Sequence, residues 1–461
     1  MKKRLFMFAT AALMLAACSN DGEVAVNDGA AQLQSGSGVV AFDTYTSSAT
    51  KAGTTGIMNT TQLQSTGFGV FATVSDGDYA STIGPNFMYN QKVEYDASAW
   101  TYSPLKYWPN ETQRDPQTAS PAPVISSGID KLSFFAYAPY VASADLAADA
   151  AKGKLKGVDY TADPEITDAH TDAVGIQAVI ANNETDDAWV RYAIASKPSK
   201  SVDLLWGVAP SGNLRYTAVN GDEINVLSGM PLKELIKPAK DQKIKFLFKH
   251  ALARLGLTVV AAIDQVAAGG DLNDQTKIAV KEVVITDVSN TKQLKTKGTL
   301  NLNNSQAGTA RWINTDDATP VSFTVSNAAE GELNPNIAYD DAGAEATWTK
   351  PSTLPAWTGV TPAESPVIAD GKYFMVIPSH GDTELQVQIT YYVITKDAKL
   401  AGGYSSVENV ITKRVTVSNL TNNKAYNLKL ILGLTSVKLD AEVADWQVDG
   451  STEVYLPQNA E

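Results

Sequence analysis

Cysteine is almost missing from this chain of 461 residues: there is one, with three histidines. That count excludes a Cys/His zinc cluster, a cysteine-held iron–sulfur site and a disulfide framework. Charge is also scarce, at 19% of residues, and it is unbalanced. The 37 basic and 50 acidic side chains leave a formal charge of −13. Such a surface repels a phosphate backbone, so no nucleic-acid partner is expected. The chain has no phosphate-cradling loop of the glycine–lysine type. Beyond its first residues it has no uninterrupted apolar run long enough to cross a membrane. What is present is a globular balance: 44% hydrophobic residues, enough to rule out wholesale disorder, in a length that suits two or three domains.

The single cysteine has an informative address. Residues 1–18 read MKKRLFMFATAALMLAAC. Lys2, Lys3 and Arg4 form a basic head, and Leu5 to Ala17 is an uncharged, mostly apolar run. It is too short for a comfortable transmembrane helix, so it reads as a signal peptide. The end of that run, Leu15-Ala16-Ala17-Cys18, resembles the lipobox of bacterial lipoproteins. Cys18 is therefore the expected lipidation site, and the chain an expected lipid-tethered, exported protein. From Ser19 to Gly38 the residues are small and polar, a flexible leader that cannot bury a core.

The rest reads as strands and turns. Gly69 to Val74, Asn86 to Asn90, Leu132 to Ala138, Tyr373 to Ile377, Arg414 to Val417 and Tyr426 to Leu432 are strand candidates. Two of them end at a proline, Pro139 and Pro378, which lacks the amide hydrogen a ladder needs. Leu385 to Tyr391 alternates cleanly between apolar and polar, as a half-buried strand should. The 32 glycines and 20 prolines are spread as punctuation. Many short strands with frequent turns predict an all-β chain of β-sandwiches with few short helices. A boundary is expected near Ser228 to Asp241, dividing an N-terminal domain at 52–235 from a C-terminal domain at 236–461. Just beyond it, Ile244, Phe246 and Phe248 share one parity, whereas Leu255, Leu257 and Val259 share the other. A strand cannot change parity unbroken, so a break is predicted between His250 and Arg254.

Several segments together resemble the fimbrillin family, the subunits of type V pili in gram-negative gut and oral bacteria. They are Cys18 in its lipobox, Trp100-Thr101-Tyr102 with Tyr107-Trp108-Pro109, and Phe134 to Pro139. Asp203 to Gly207, Phe248 to Leu255 and Asp445-Trp446 follow. The resemblance implies two tandem transthyretin-like β-sandwich domains. It also implies a route: lipidated export to the outer membrane, cutting by a trypsin-like protease, and polymerisation into an extracellular fimbrium that supports adhesion. In that route the first strand leaves, and a strand from another pilus subunit, of the same or a different kind, fills the groove.

The sequence supplies parts in the order that route needs. Val39, Val40, Ala41 and Phe42 open a strand that could be removed. Between Cys18 and Lys92 the one basic residue is Lys51, followed by Ala52 and further small residues. The Lys51–Ala52 bond is the expected cut, closing a leader and removable strand at 19–51. Near the other end Thr452, Val454 and Leu456 share one face of a short alternating run after the turn signal Asp449-Gly450. They are a candidate donor strand, or else simply the last strand of the second sandwich.

Enzyme chemistry, cofactors and metals are not expected. Ser379, His380 and Asp382 are triad residue types, but neighbours along a strand point apart, so a turn after Pro378 is the reading. His250 has no acidic neighbour in sequence and is expected in the core, bonded to backbone. His170 lies in an acidic loop that lacks the pattern of a calcium site. Trp100, Tyr102, Tyr107 and Trp108 are expected as a buried patch. Were they exposed, a surface glycan-binding lipoprotein would be the alternative.

Overall fold

In a computed structural model the structure describes residues 39–46, 58–76, 78–80, 84–109, 130–142, 174–181, 187–210, 214–217, 223–237, 243–262, 276–288, 294–303, 311–316, 322–326, 332–334, 337, 360, 363–369, 372–400, 404–433, 437–445 and 454–455. The expected signal peptide, Cys18, Lys51, Ala52, His170, Thr452 and Leu456 all lie outside these residues.

The fold is all-β. Among the described residues one α-helix occurs, the seven-residue Thr60–Thr66, with one short 3-10 turn at Pro198–Lys200. The helix starts because Asn59 and Gln62 form a capping box, each side chain accepting the other's backbone N–H. It stops at Gly67, whose φ of +69° suits glycine alone here. A Cβ at that position would meet the Val93 carbonyl oxygen at 2.5 Å. No described helix is long and apolar enough to cross a membrane.

One sheet has eight strands. Seven run in the order Phe42–Thr46, Ile244–His250, Leu205–Val208, Asp130–Ala138, Phe68–Asp76, Met88–Tyr95 and Trp100–Thr101, and Leu232–Leu235 pairs beside Asp130–Ala138. Both faces of this sheet are covered. On one face Val40, Phe42, Phe68, Val70, Phe134, Phe246 and Phe248 form a core beneath Leu63 of the helix. On the other, Phe71, Phe135, Tyr137 and Trp206 pack against Val190, Tyr192 and Leu300. Those last three belong to a four-stranded sheet of Arg311–Asp316, Lys297–Asn301, Ala188–Ala193 and Gly175–Ala181. Near-continuous apolar runs such as Phe134 to Ala138 follow from burial on both sides.

The second sandwich stacks two further sheets. One holds Ser365–Pro366, Ala253–Ala261, Lys424–Leu432, Val437–Asp445 and Val454–Tyr455, with Phe374–Val376 added beside Ala253–Ala261. The other holds Ser322–Ser326, Thr276–Asp287, Thr383–Lys396 and Tyr404–Val417. Between them lie Leu255, Leu257, Val259, Val283, Ile285, Leu385, Val387, Ile389, Tyr391, Leu428 and Leu430. The alternation read at 385–391 is thus the inward face of a long strand.

The predicted parity break falls at Ala251–Leu252. Ile244, Phe246 and Phe248 face the first core, and the next strand turns Leu255, Leu257 and Val259 into the second. Three strand pairings, made by two strands, cross the expected division at 235/236. Ile244–His250 is an inner strand of the eight-stranded sheet, and Lys297–Asn301 pairs with Ala188–Ala193. The local pattern at 228–241 is that of a turn region, yet the chain re-enters the first sheet after it.

Candidate functional site: the slot of the first strand

The first strand, Phe42–Thr46, is at the edge of the eight-stranded sheet. Its one strand neighbour among the described residues is Ile244–His250, with which it runs parallel, Phe42 opposite Ile244 and Thr46 opposite Phe248. An ordinary edge strand buries alternate residues. Phe42, Thr44 and Thr46 are buried in that alternation, whereas the residues leading into the strand are buried in succession: Val39 is 5% exposed, Val40 0%, Ala41 5% and Phe42 2%. The segment therefore lies in a slot closed on both sides.

The slot has three parts. The first is an aromatic box. The Phe42 ring lies 5.6 Å from Tyr102, 5.8 Å from Phe134, 6.0 Å from Phe246 and 6.1 Å from Phe68, mostly edge-on or tilted. Such pairs each add about 0.5–1.5 kcal/mol beyond burial. Phe246 can lie there because residue 207 is glycine. A Cβ on Gly207 would stand 2.8 Å from the Phe246 ring.

The second part is a backbone latch. Val40 donates its N–H to the Lys106 carbonyl at 2.9 Å, and the Tyr102 hydroxyl donates to the Val40 carbonyl at 2.7 Å. Lys106 N–H in turn donates to the Tyr102 hydroxyl at 3.3 Å, and Val39 forms a bridge with Tyr107. Ile244 donates to the Ala41 carbonyl at 2.9 Å. Burial pushes the Tyr102 phenol up to about 12, against the pull of the Lys106 hydrogen bond. The folded value stands above the unfolded one of about 10, so this contribution is whole below pH ~10 and is lost as pH climbs through ~12.

The third part holds the chain where it returns. Thr46 and Thr60 hydroxyls meet at 2.9 Å. Met58 donates its N–H to Asp203 Oδ2 at 2.9 Å, and the same oxygen pairs with His250 Nδ1 at 2.7 Å. His250 is buried, as expected of a core histidine, and its Nδ1 partner is the buried Asp203 carboxylate, 47 residues away. A carboxylate only accepts, so the pair sets the imidazole proton on Nδ1. Asn422 and Asn423, from the turn before Lys424–Leu432, bond the His250 carbonyl and amide at 3.4 and 3.3 Å. One cluster thus ties Met58, the end of the strand beside the slot, and the second sandwich. Sequence marked Tyr102 as a member of a buried aromatic patch and Asp203 as the start of a family-like segment, but nothing local marks a partner 62 or 145 residues away.

Other expected sites resolve as follows. Trp100, Tyr102 and Trp108 are buried as expected, but Tyr107 is 53% exposed, a correction. Its backbone serves the bridge to Val39 while its ring stays outside. Among the described residues no tryptophan is exposed, and Tyr107 is the one ring of this cluster that faces solvent. Ser379, His380 and Asp382 sit in a turn, with His380 at φ +56° and Asp382 accepting the Asn419 N–H at 2.9 Å. Val454–Tyr455 pairs with Glu442 and Val443, at the edge of the second sandwich.

No family model matches the chain. A stretch of 171 residues is 28% identical to the fimbrium subunit Fim1C of Phocaeicola vulgatus, covering 36% of this chain and 38% of that protein's length. A fimbrial protein from Bacteroides vulgatus has a similar solved structure: TM-score 0.52, 17% identity, 89% of this chain and 99% of that one. The likeness in structure supports the all-β sandwich fold, and the Fim1C match supports the fimbrillin resemblance.

Proposed function

We propose that this chain is a structural subunit of a cell-surface fimbrium, exported as a lipoprotein through Cys18 and cut at Lys51–Ala52. The strand of Val39, Val40, Ala41 and Phe42 then leaves its slot, and an extended segment of another subunit replaces it. The observation that carries this reading is the slot. A first strand held at a sheet edge, parallel to its one strand neighbour, can leave without unthreading the sheet. The cut lies between Thr46 and Met58, and each of those residues has its own anchor on the body. Removal would open the aromatic box and the edge of Ile244–His250 to strand addition. Adhesion, the outer-membrane stage, the trypsin-like protease and the transthyretin-like classification belong to this proposal, which the fimbrial relatives support.

Brief trypsin treatment of the lipid-free exported chain should give a body beginning at Ala52. Lys51→Gln should slow that cut at least about tenfold, the effect of losing the one basic residue between Cys18 and Lys92. Mass spectrometry reads the new terminus, and negative-stain microscopy reads assembly. Assembled material that still carries residues 39–46 covalently joined to the body would overturn the route.

Thr452, Val454 and Leu456 are the proposed donor to a neighbouring subunit. Among the described residues this segment pairs with the body through Val454–Tyr455, two residues at an edge. Deleting residues 451–461 should therefore cost less than about 1 kcal/mol in urea unfolding while preventing incorporation into filaments. A larger loss of stability would assign the segment to the subunit's own core.

A further inference from the structure

The slot also says what can enter it. Resting on the strand-replacement reading above, we infer that the slot selects an extended segment of a different protein and rejects residues 452–456 of a second copy of this chain. Val40 and Phe42 point into the core, and Ala41, between them, is itself 5% exposed. The Val40 and Ala41 carbonyls and the Val40 amide are fixed by Tyr102, Ile244 and Lys106. An occupant must run parallel to Ile244–His250 to use those contacts. It needs an aliphatic residue at the Val40 position, a small one at Ala41 and an aromatic one at Phe42.

The chain's own 452–456 segment fails in each register that seats one of its apolar residues in the box. With Val454 at the Phe42 position, Glu453 takes the Ala41 place and a charge is buried. With Leu456 there, Val454 fits the Val40 place, but Tyr455 must replace buried Ala41, which is gross overpacking. With Tyr455 in the box, Glu453 falls at Val40, which is wholly buried. A buried unpaired carboxylate has no compensation there. The occupant is an aliphatic–small–aromatic segment carried by another chain, and assembly through this slot is between unlike subunits.

The test uses the full exported chain with residues 48–54 replaced by a site for a sequence-specific protease. After cutting, synthetic peptides compete with the severed first segment, and native mass spectrometry counts the exchanged complex. A peptide of residues 38–47 should displace it. The same peptide with Phe42→Ala or Ala41→Tyr should need roughly a hundredfold more, as should a peptide of residues 449–459. Displacement by the 449–459 peptide as readily as by 38–47 would overturn the inference while leaving strand replacement intact. Failure of the 38–47 peptide at any concentration would overturn strand replacement and this inference with it.

Discussion

Asp203→Ala should lower the stability of the chain by about 3–5 kcal/mol, because it leaves the buried His250 ring N–H and the Met58 amide without an acceptor, at about 1–3 kcal/mol each, and opens a cavity. Three groups depend on this carboxylate. His250 Nδ1 and the Met58 amide bond the same oxygen, at 2.7 and 2.9 Å, and the side chains of Asp203 and His250 are 0% and 1% exposed. Arg254 is held down by burial, an effect partly offset by the Asp203 charge, and its guanidinium lies 4.2 Å from the Tyr373 ring centre. The second carboxylate oxygen, Oδ1, is buried without a hydrogen-bond partner, so the group has little slack to relax. Asp203→Asn separates charge from hydrogen bonding. It keeps an acceptor for the Met58 and His250 N–H groups and should cost visibly less than alanine, about 1–3 kcal/mol. Urea unfolding with fixed m-value reads both. A loss under about 1 kcal/mol for Asp203→Ala would show that the cluster does not tie the two sandwiches together.

Phe42→Ala should cost about 3–5 kcal/mol, because it empties a box of four rings, three of them from different strands and Tyr102 from the residue after a fourth. The walls cannot collapse easily. Phe246 lies so close over Gly207 that not even a Cβ would fit between them, and Tyr102 is tied by its hydroxyl to Val40. The loss should also be local. Phe42–Thr46 has one strand neighbour, whereas Lys424–Leu432 is flanked by Ala253–Ala261 and Val437–Asp445. Hydrogen exchange should accelerate in Ile244–His250 and stay slow in Lys424–Leu432. Uniform acceleration of both strands would mean that the first strand is an inseparable part of one cooperative core, and the removable-strand reading would fail.

The two variants also mark how far residue patterns reach. Leu385 to Tyr391 announced its inward face by alternation alone, since side chains of a strand point to opposite sides whatever the neighbours are. The reversal of parity between Phe248 and Leu255 located the passage from one core to the next, because no straight strand can serve both. Pro139 directly follows the end of Asp130–Ala138 as predicted, for want of an amide hydrogen, whereas Phe374–Val376 already stops two residues short of Pro378. These are properties of a few consecutive residues, and sequence states them directly.

Only tertiary structure decided which strand lies beside which. Phe42–Thr46 pairs with a strand about two hundred residues further on, and Ile244–His250 stays in the first sheet although a turn region precedes it. Strand pairing uses backbone groups that every residue carries, so the partner is chosen by how whole faces pack, not by a local signal. The same holds for Asp203 with His250 and for Tyr102 with Val40. Each side chain was visible as a polar or aromatic residue in an apolar setting, but its partner is fixed by the crossing of strands far apart in the chain. Composition and alternation determined that this chain is all-β and where its faces turn. The slot, its latch and its anchor exist only once those faces meet, because each is assembled from residues that sequence keeps tens to hundreds of positions apart.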